Sequence, residues 1–253
     1  MATVQSIERA FQILEQLSAH PGGMQVTKLA DETGLSKSTV HRLLQTLINL
    51  KYVKQDSDSE RYTIGYRALY LTRNLIHSSA IITNAKPHLQ KLVDDINETV
   101  HLCIEEYEEV VYVDKIESKQ TFRMSSRIGS RAPLYCTGVG KIILSGRSEE
   151  EILDIASRIE FIPRTPNTIT SVDALHKEIQ KIRRIGYALD NIENEPGIRC
   201  IAVPVYDFSG NIVASFSVSG PSDRITIDAI ENGLANKLNE TAHAISKQLG
   251  YRP

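Results

Sequence analysis

GLSKSTVHRLLQTL, Gly34 to Leu47, is the stretch whose reading decides the fold. Val40, Leu43, Leu44 and Leu47 recur at i, i+3, i+4 and i+7, one apolar stripe of an α-helix. Ser36 stands at the N-cap position, where its hydroxyl accepts a first-turn N–H. Opposite the stripe lie Lys37, Ser38, Thr39, His41, Arg42 and Gln45, the hydroxyls, amides and cations that reach phosphates and base edges. The stretch therefore reads as the recognition helix of a helix-turn-helix.

Upstream, residues 4–19 repeat Ile7, Ala10, Phe11, Leu14 and Leu17 as an amphipathic helix, which Pro21-Gly22-Gly23 ends. A second helix is expected from about Val26 to Thr33. Ala30, Gly34 and Val40 then fall at helix-turn-helix spacing: a small residue for close approach, a glycine for a left-handed turn and a β-branched packing residue. Downstream, YVKQ (52–55) and RYTI (61–64) flank the polar loop DSDSE as a β-hairpin, the wing of a winged helix, with Lys54 and Arg61 within reach of phosphate. The expected boundaries are 1–65 for the DNA-binding domain, 66–79 for a linker helix and 80–253 for a second domain.

Composition frames this reading. At 253 residues the chain accommodates two cores. Its net charge of −2 carries no chain-wide basic footprint, yet residues 36–54 hold Lys37, Arg42, Lys51 and Lys54 with no acid. Such a patch neutralises phosphates, or is a solvated helix face. No apolar run approaches the roughly 20 residues of a membrane span, and MATVQSIERAF lacks a signal-peptide pattern, so a cytosolic protein is expected, with no membrane partner. Cys103, Cys136 and Cys200 form neither a CxxC pair nor a zinc-spaced cluster, so no disulfide, metal or cofactor is expected.

Beyond residue 80, Ile82, Leu89, Leu92, Val93 and Ile96 mark a helical face. Alternating segments follow at 100–106, 110–116, 121–125 (TFRMS), 200–207 and 212–219. Helices are expected at 137–145, at 148–156 behind a Ser148/Glu151 capping box, at 171–185 and at 226–249. The class is α+β, with a mostly antiparallel sheet.

YCTGVGKIIL (135–144) places Gly138 and Gly140 at a helix start, where exposed N–H groups and the helix dipole favour a carboxylate-sized anion. Close glycine packing is the alternative. It is not a P-loop, since Tyr135 and Ile142 occupy positions that motif gives to Gly and Ser/Thr. Asp190, in the acidic stretch LDNIENEPGIRC, is a candidate acceptor for ligand hydroxyls, or simply solvated. Ser217 and Ser219 share a strand face, and inward hydroxyls there need partners. Met124 and Ile198 read as core or pocket wall. An enzyme reading would take Cys136 or Cys200 as nucleophile, His101 as base and Asp190 as orienter; no nucleophile motif surrounds either cysteine, so no catalytic residue is assigned.

Taken in order, SKSTVHRLLQTL with its wing, the helical linker, LYCTGVGK, EPGIRCIAVPV and FSVSGP resemble the IclR family of bacterial transcription regulators over nearly the whole chain. The resemblance implies an N-terminal winged helix-turn-helix joined by a helical linker to a C-terminal GAF-like effector domain. It also implies a dimer or dimer of dimers, operator DNA contacted by Ser36, Lys37, Ser38, Thr39, His41, Arg42, Lys54 and Arg61, and a small carboxylate effector. The family's effector positions fall on Gly138 and Val139 for the carboxylate, on Asp190, Cys200, Ser217 and Ser219 for polar contacts, and on Met124 and Ile198 for apolar ones. Val139 stands where a smaller residue is frequent, and Asn191-Ile192 stands where acids are, which turns attention to Glu193. TVHLCIEE, YVDKIES, RMSSRIGSRAPLY, RTPNTITS and IRCIAVPV are especially similar to members that sense 2-keto-3-deoxygluconate and control pectin and uronate catabolism. A repressor released by such a keto acid is the expectation; the alternative is a regulator, activator included, that answers to an aromatic acid, glyoxylate or pyruvate.

Overall fold

The computed structural model describes residues 3–252, the side chains of 74 and 76–78 excepted. Two compact units divide at Ser78/Ser79.

In the first, α1 (Gln5–Ala19), α2 (Val26–Thr33) and α3 (Lys37–Asn49) pack around Ile13, Leu17, Leu29, Val40, Leu44 and Leu47. Gly34 ends α2 in the left-handed region (φ 66°), and Ser36 caps α3 by accepting the Thr39 N–H at 3.3 Å. The two-residue spacing from left-handed glycine to capping serine sets where α3 begins. The expected face of α1 holds at Leu17, which is buried, and is corrected elsewhere: Ile13, outside that face, is also buried, whereas Ile7 and Phe11 are exposed together with Val4. The hairpin forms as β1 (Val53–Gln55) and β2 (Tyr62–Ile64), and Met24 bridges to Tyr62 from the other side. The segment from Ala68 to Ser78 is helical (α4).

In the second unit, α5 (Ala80–Ile96) leads into a six-stranded sheet in which every neighbouring pair is antiparallel. Its strands are β3 (Thr99–Glu106), β4 (Glu109–Ile116), β5 (Arg131–Pro133), β6 (Ala188–Asn191), β7 (Ile198–Tyr206) and β8 (Ile212–Pro221), in the spatial order β5-β4-β3-β8-β7-β6. Because strand side chains alternate between faces, one face (Val100, Leu102, Ile201, Val203, Phe216, Val218) packs with α5 and the C-terminal helix α10 (Ala235–Gln248). On the other face, Cys103, Val110, Ala188 and Ala202 pack with α6 (Gly138–Ser145), α7 (Glu149–Arg158) and α8 (Val172–Ile185). Ser148 and Glu151 form the expected capping box.

Three expectations are corrected. TFRMS is not a strand; β4 pairs instead with Arg131–Pro133, and the 121–126 backbone is irregular. The stretch read as an acidic loop begins as β6, since Leu189 and Asp190 pair with Ile201 and Cys200. The last helix is interrupted: a short α9 (Ile227–Ala229) meets α10 through an irregular turn in which Gly233 takes φ 140°. No helix among the described residues is long and apolar enough to cross a membrane.

Candidate functional site

On α3, Lys37, Ser38, His41, Arg42 and Gln45 are exposed and Thr39 half-buried, opposite the buried stripe. Ser36, Ser38 and Thr39 hydrogen-bond among themselves (3.1 and 2.9 Å from the Ser36 hydroxyl), so the first turn presents a fixed row of hydroxyls flanked by Lys37 and Arg42. The wing residues are less free. The Arg61 guanidinium donates to the Gly23 carbonyl at 2.9 Å, and the Lys54 ammonium lies 5.3 Å from the Tyr66 ring centre. The hairpin tip is closed by Asp56, which accepts from the Ser59 N–H and hydroxyl.

In the second unit, a cavity of about 260 Å3 opens between the sheet and the start of α6. Met124, Gly138, Val139, Asp190, Ile198, Cys200, Ser217 and Ser219 all line it, so residues spread over nearly a hundred positions converge. The sheet register explains the convergence. Asp190, Cys200 and Ser219 form one cross-strand row, and Ala202, Ser217 and His101 the next, all on the face that turns toward α6.

The start of α6 is built for close approach. The Thr137 hydroxyl accepts the Gly140 N–H at 3.1 Å and donates to the Pro133 carbonyl at 2.7 Å. The N–H groups of Gly138 and Val139 precede the first intrahelical bond and border the cavity. The two glycines have different reasons. A Cβ on Gly140 would fall 2.5 Å from the Leu134 Cα and carbonyl oxygen, so Gly140 serves packing, whereas one on Gly138 would meet Ala202 at 3.2 Å.

Asp190 is buried, and its Oδ1 accepts the N–H groups of Glu193 (2.7 Å) and Asn194 (3.2 Å). Burial, reinforced by the neighbouring Glu193 charge, raises its pKa to about 7, against the pull of those N–H groups. Beneath it the fully buried Lys141 of α6 donates to Glu193 Oε1 at 2.6 Å, while Glu193 Oε2 has no partner. Ile192, between them, holds a left-handed φ of 60°, which a β-branched residue adopts only under constraint. The constraint comes from the 164–168 segment: Thr165 donates to the Ile192 carbonyl (2.6 Å), Thr168 to that of Glu193 (2.6 Å) and Asn167 to that of Asn191 (3.0 Å).

Sequence reasoning missed His101 as a lining residue, together with Tyr112, Ser126, Thr137, Arg164 and Asn194. His101 bridges Ser219 (3.2 Å) and Ser126 (2.7 Å); burial and the nearby Lys115 charge push its pKa down to about 3, so it is neutral. Tyr112 reaches the cavity because a register shift at Leu102/Cys103 puts Lys115 and Tyr112, three apart, on the same face. The Lys115 ammonium holds the carbonyls of Met124 and Ser126 at 2.8 Å each, which explains why TFRMS folds over the cavity instead of pairing as a strand.

The nucleophile arrangement weighed for catalysis is not assembled. Burial pushes the thiols of Cys136 (to about 12) and Cys200 upward, Cys136 donates to the Asn194 amide oxygen, and His101 is committed to two serines. Among the described residues no group of His, Cys, Asp or Glu is placed to hold a metal ion.

A family signature described as the IclR helix-turn-helix domain matches residues 6–57, and one described as the bacterial transcriptional regulator IclR C-terminal domain matches residues 73–247. The chain belongs to the IclR family. The HTH-type transcriptional regulator KdgR of Escherichia coli K12 is 37% identical over 249 residues, covering 98% of this chain and 94% of the relative. The HTH-type transcriptional repressor AllR of the same strain is 33% identical over 248 residues, covering 98% and 91%. The crystal structure of Thermotoga maritima IclR superposes with a TM-score of 0.84 at 36% identity, covering 98% of this chain and 99% of the other. As an IclR-family member, the protein is a DNA-binding transcriptional regulator, and its relatives are regulators rather than enzymes.

Proposed function

We propose that the protein is a repressor of sugar-acid catabolic genes, released from its operator by a small keto acid such as 2-keto-3-deoxygluconate. The observation that carries the reading is the cavity: first-turn N–H groups of α6 suited to a carboxylate, with Asp190, Ser217 and Ser219 suited to hydroxyls, in one space of about 260 Å3. Its similarity to KdgR and AllR, and the segments shared with members that sense 2-keto-3-deoxygluconate, support the effector class and the sign.

On DNA, Lys37, Ser38, Thr39, His41 and Arg42 are the groove contacts, Ser36 orders the first turn, and Lys54 and Arg61 border the backbone. Self-association is supported by the exposed apolar residues Val4, just ahead of α1, Ile7 and Phe11 of α1 and Leu69, Tyr70, Leu71 and Leu75 of α4, arranged as a dimer or dimer of dimers. The effector acts through differential affinity for two arrangements of the paired recognition helices, only one of which matches the operator's half-site spacing.

Two measurements test this. Arg42→Ala is expected to weaken binding to the promoter DNA flanking its own gene by roughly 10- to 100-fold in a gel shift, the effect of losing one side-chain contact to base or phosphate. An unchanged shift would put another element in the groove. Calorimetry with 2-keto-3-deoxygluconate is expected to show an affinity loss of about tenfold or more for both Asp190→Ala and Ser217→Ala, as buried hydrogen bonds to ligand are removed. Undiminished affinity in both variants would remove the cavity from the mechanism.

A further inference from the structure

Within the RTPNTITS segment, Thr165, Asn167 and Thr168 are accounted for by their bonds to the Asn191–Glu193 backbone, whereas the side chain of Arg164 is not. Its backbone N–H is fixed by the Thr168 hydroxyl at 3.0 Å, so the residue is anchored by the same clamp that holds the Asp190 turn. Arg164 lines the cavity, is exposed and forms no salt bridge among the described residues. The other lining guanidinium, Arg131, is committed to Glu106 and Glu109.

The location of that charge is informative. Burial and the Asp190 carboxylate push the Cys136 thiol upward, and the Arg164 charge works against the rise. Ile162, two residues before Arg164, is tied through its carbonyl (2.9 Å) and N–H (3.0 Å) to the hydroxyl of Tyr135, just upstream of the α6 cap, and Arg164 lines the same cavity as Thr137, Gly138 and Val139, whose first-turn N–H groups suit an anion. The remaining lining charges, Asp190 and Glu195, are acidic. A carboxylate entering this space meets repulsion from Asp190 and attraction from α6, and one uncommitted cation offsets the former.

We propose that Arg164 is a specificity-determining residue of the effector cavity, a mouth-side guanidinium that pairs with the effector carboxylate at the start of α6 and selects acids over neutral compounds of the same shape. The inference rests on the effector reading above. An arginine suits the role because its planar fork engages a carboxylate with two N–H groups. The side chain makes no bond that holds the fold, since the clamp uses its backbone and the threonines, so substitution leaves the structure intact.

The test compares the full-length protein with Arg164→Gln and Arg164→Lys, titrated calorimetrically with 2-keto-3-deoxygluconate and with its methyl ester. Wild type is expected to prefer the acid. Arg164→Gln is expected to lose roughly ten- to hundredfold affinity for the acid, the effect of removing a charged hydrogen-bond partner, with little change for the ester and an unchanged melting temperature. Arg164→Lys is expected to recover part of the loss. Equal affinity of wild type and Arg164→Gln for the acid overturns this inference alone, as does a parallel loss for acid and ester. A wild type that binds none of 2-keto-3-deoxygluconate, pyruvate or glyoxylate overturns the effector reading and this inference with it.

Discussion

Lys141→Met will lower the melting temperature of the second unit by about 10 °C. The ammonium is fully buried and its ion-pair partner is Glu193, whose carboxylate is itself buried and already carries an unpartnered oxygen. Removing the cation leaves that charge uncompensated in a low-dielectric interior, a loss of about 3–5 kcal/mol. For a unit of this size each kcal/mol moves the midpoint by roughly 2–4 °C. The double variant Lys141→Met/Glu193→Leu is expected to recover most of the loss, because two apolar side chains no longer need each other. Thermal unfolding of the full-length proteins followed by circular dichroism decides it. Equal midpoints for wild type and the single variant would mean that the pair contributes nothing, and a double variant no better than the single would assign Glu193 a second structural duty.

The second large effect depends on pH. Asp190 titrates near 3.8 when unfolded and at about 7 in the fold. Between those values the folded state binds more protons than the unfolded one, so stability falls as pH rises. The favourable contribution of the protonated carboxyl is complete below pH 3.8 and is lost as pH passes 7. At about 1.4 kcal/mol per unit the whole effect is roughly 4 kcal/mol. Asp190→Asn keeps an oxygen to accept the Glu193 and Asn194 N–H groups but carries no charge. Its melting temperature is therefore expected to exceed that of wild type at pH 8 by several degrees, with the gap closing toward pH 4.5. A gap independent of pH would refute the assignment of the titration to Asp190.

The recognition helix was legible because its determinants are local. The Ser36 cap, the left-handed Gly34 and the stripe from Val40 to Leu47 act over a few residues, and each appears in the fold as it reads in the chain. The polar face of α3 was legible for the same reason. The cavity of the second unit was different. Gly138, Asp190 and Ser219 meet only through sheet register, and it was resemblance to a family, more than any local pattern, that grouped them. Where resemblance offered no guide, long-range contacts prevailed. Phe122 and Met124 alternate as a strand would, but Lys115 holds the backbone carbonyls of Met124 and Ser126 and His101 holds the Ser126 hydroxyl, by bonds that an isolated segment does not reveal. Tyr112 escaped notice because a register shift breaks the alternation that would have placed it. Ile7 and Phe11 fit an inward stripe with Leu17 by spacing, yet Ile13 joins Leu17 in the core and the other two stay exposed, since the helix has more apolar surface than its own unit covers. Gly233 was the one visible sign that the last helix would break.

The central sheet separates the lining of the cavity from the apolar layer that keeps the unit folded. Along β8, Phe216 and Val218 belong to the apolar layer under α5 and α10, while Ser217 and Ser219, alternating with them, face the cavity; Ile201 and Cys200 divide in the same way on β7. Replacement at every second position therefore changes the chemistry offered to a small molecule and leaves the opposite layer untouched. A gene duplicate of this chain has a short mutational route to a new signal, because a strand period of two insulates ligand choice from structural integrity.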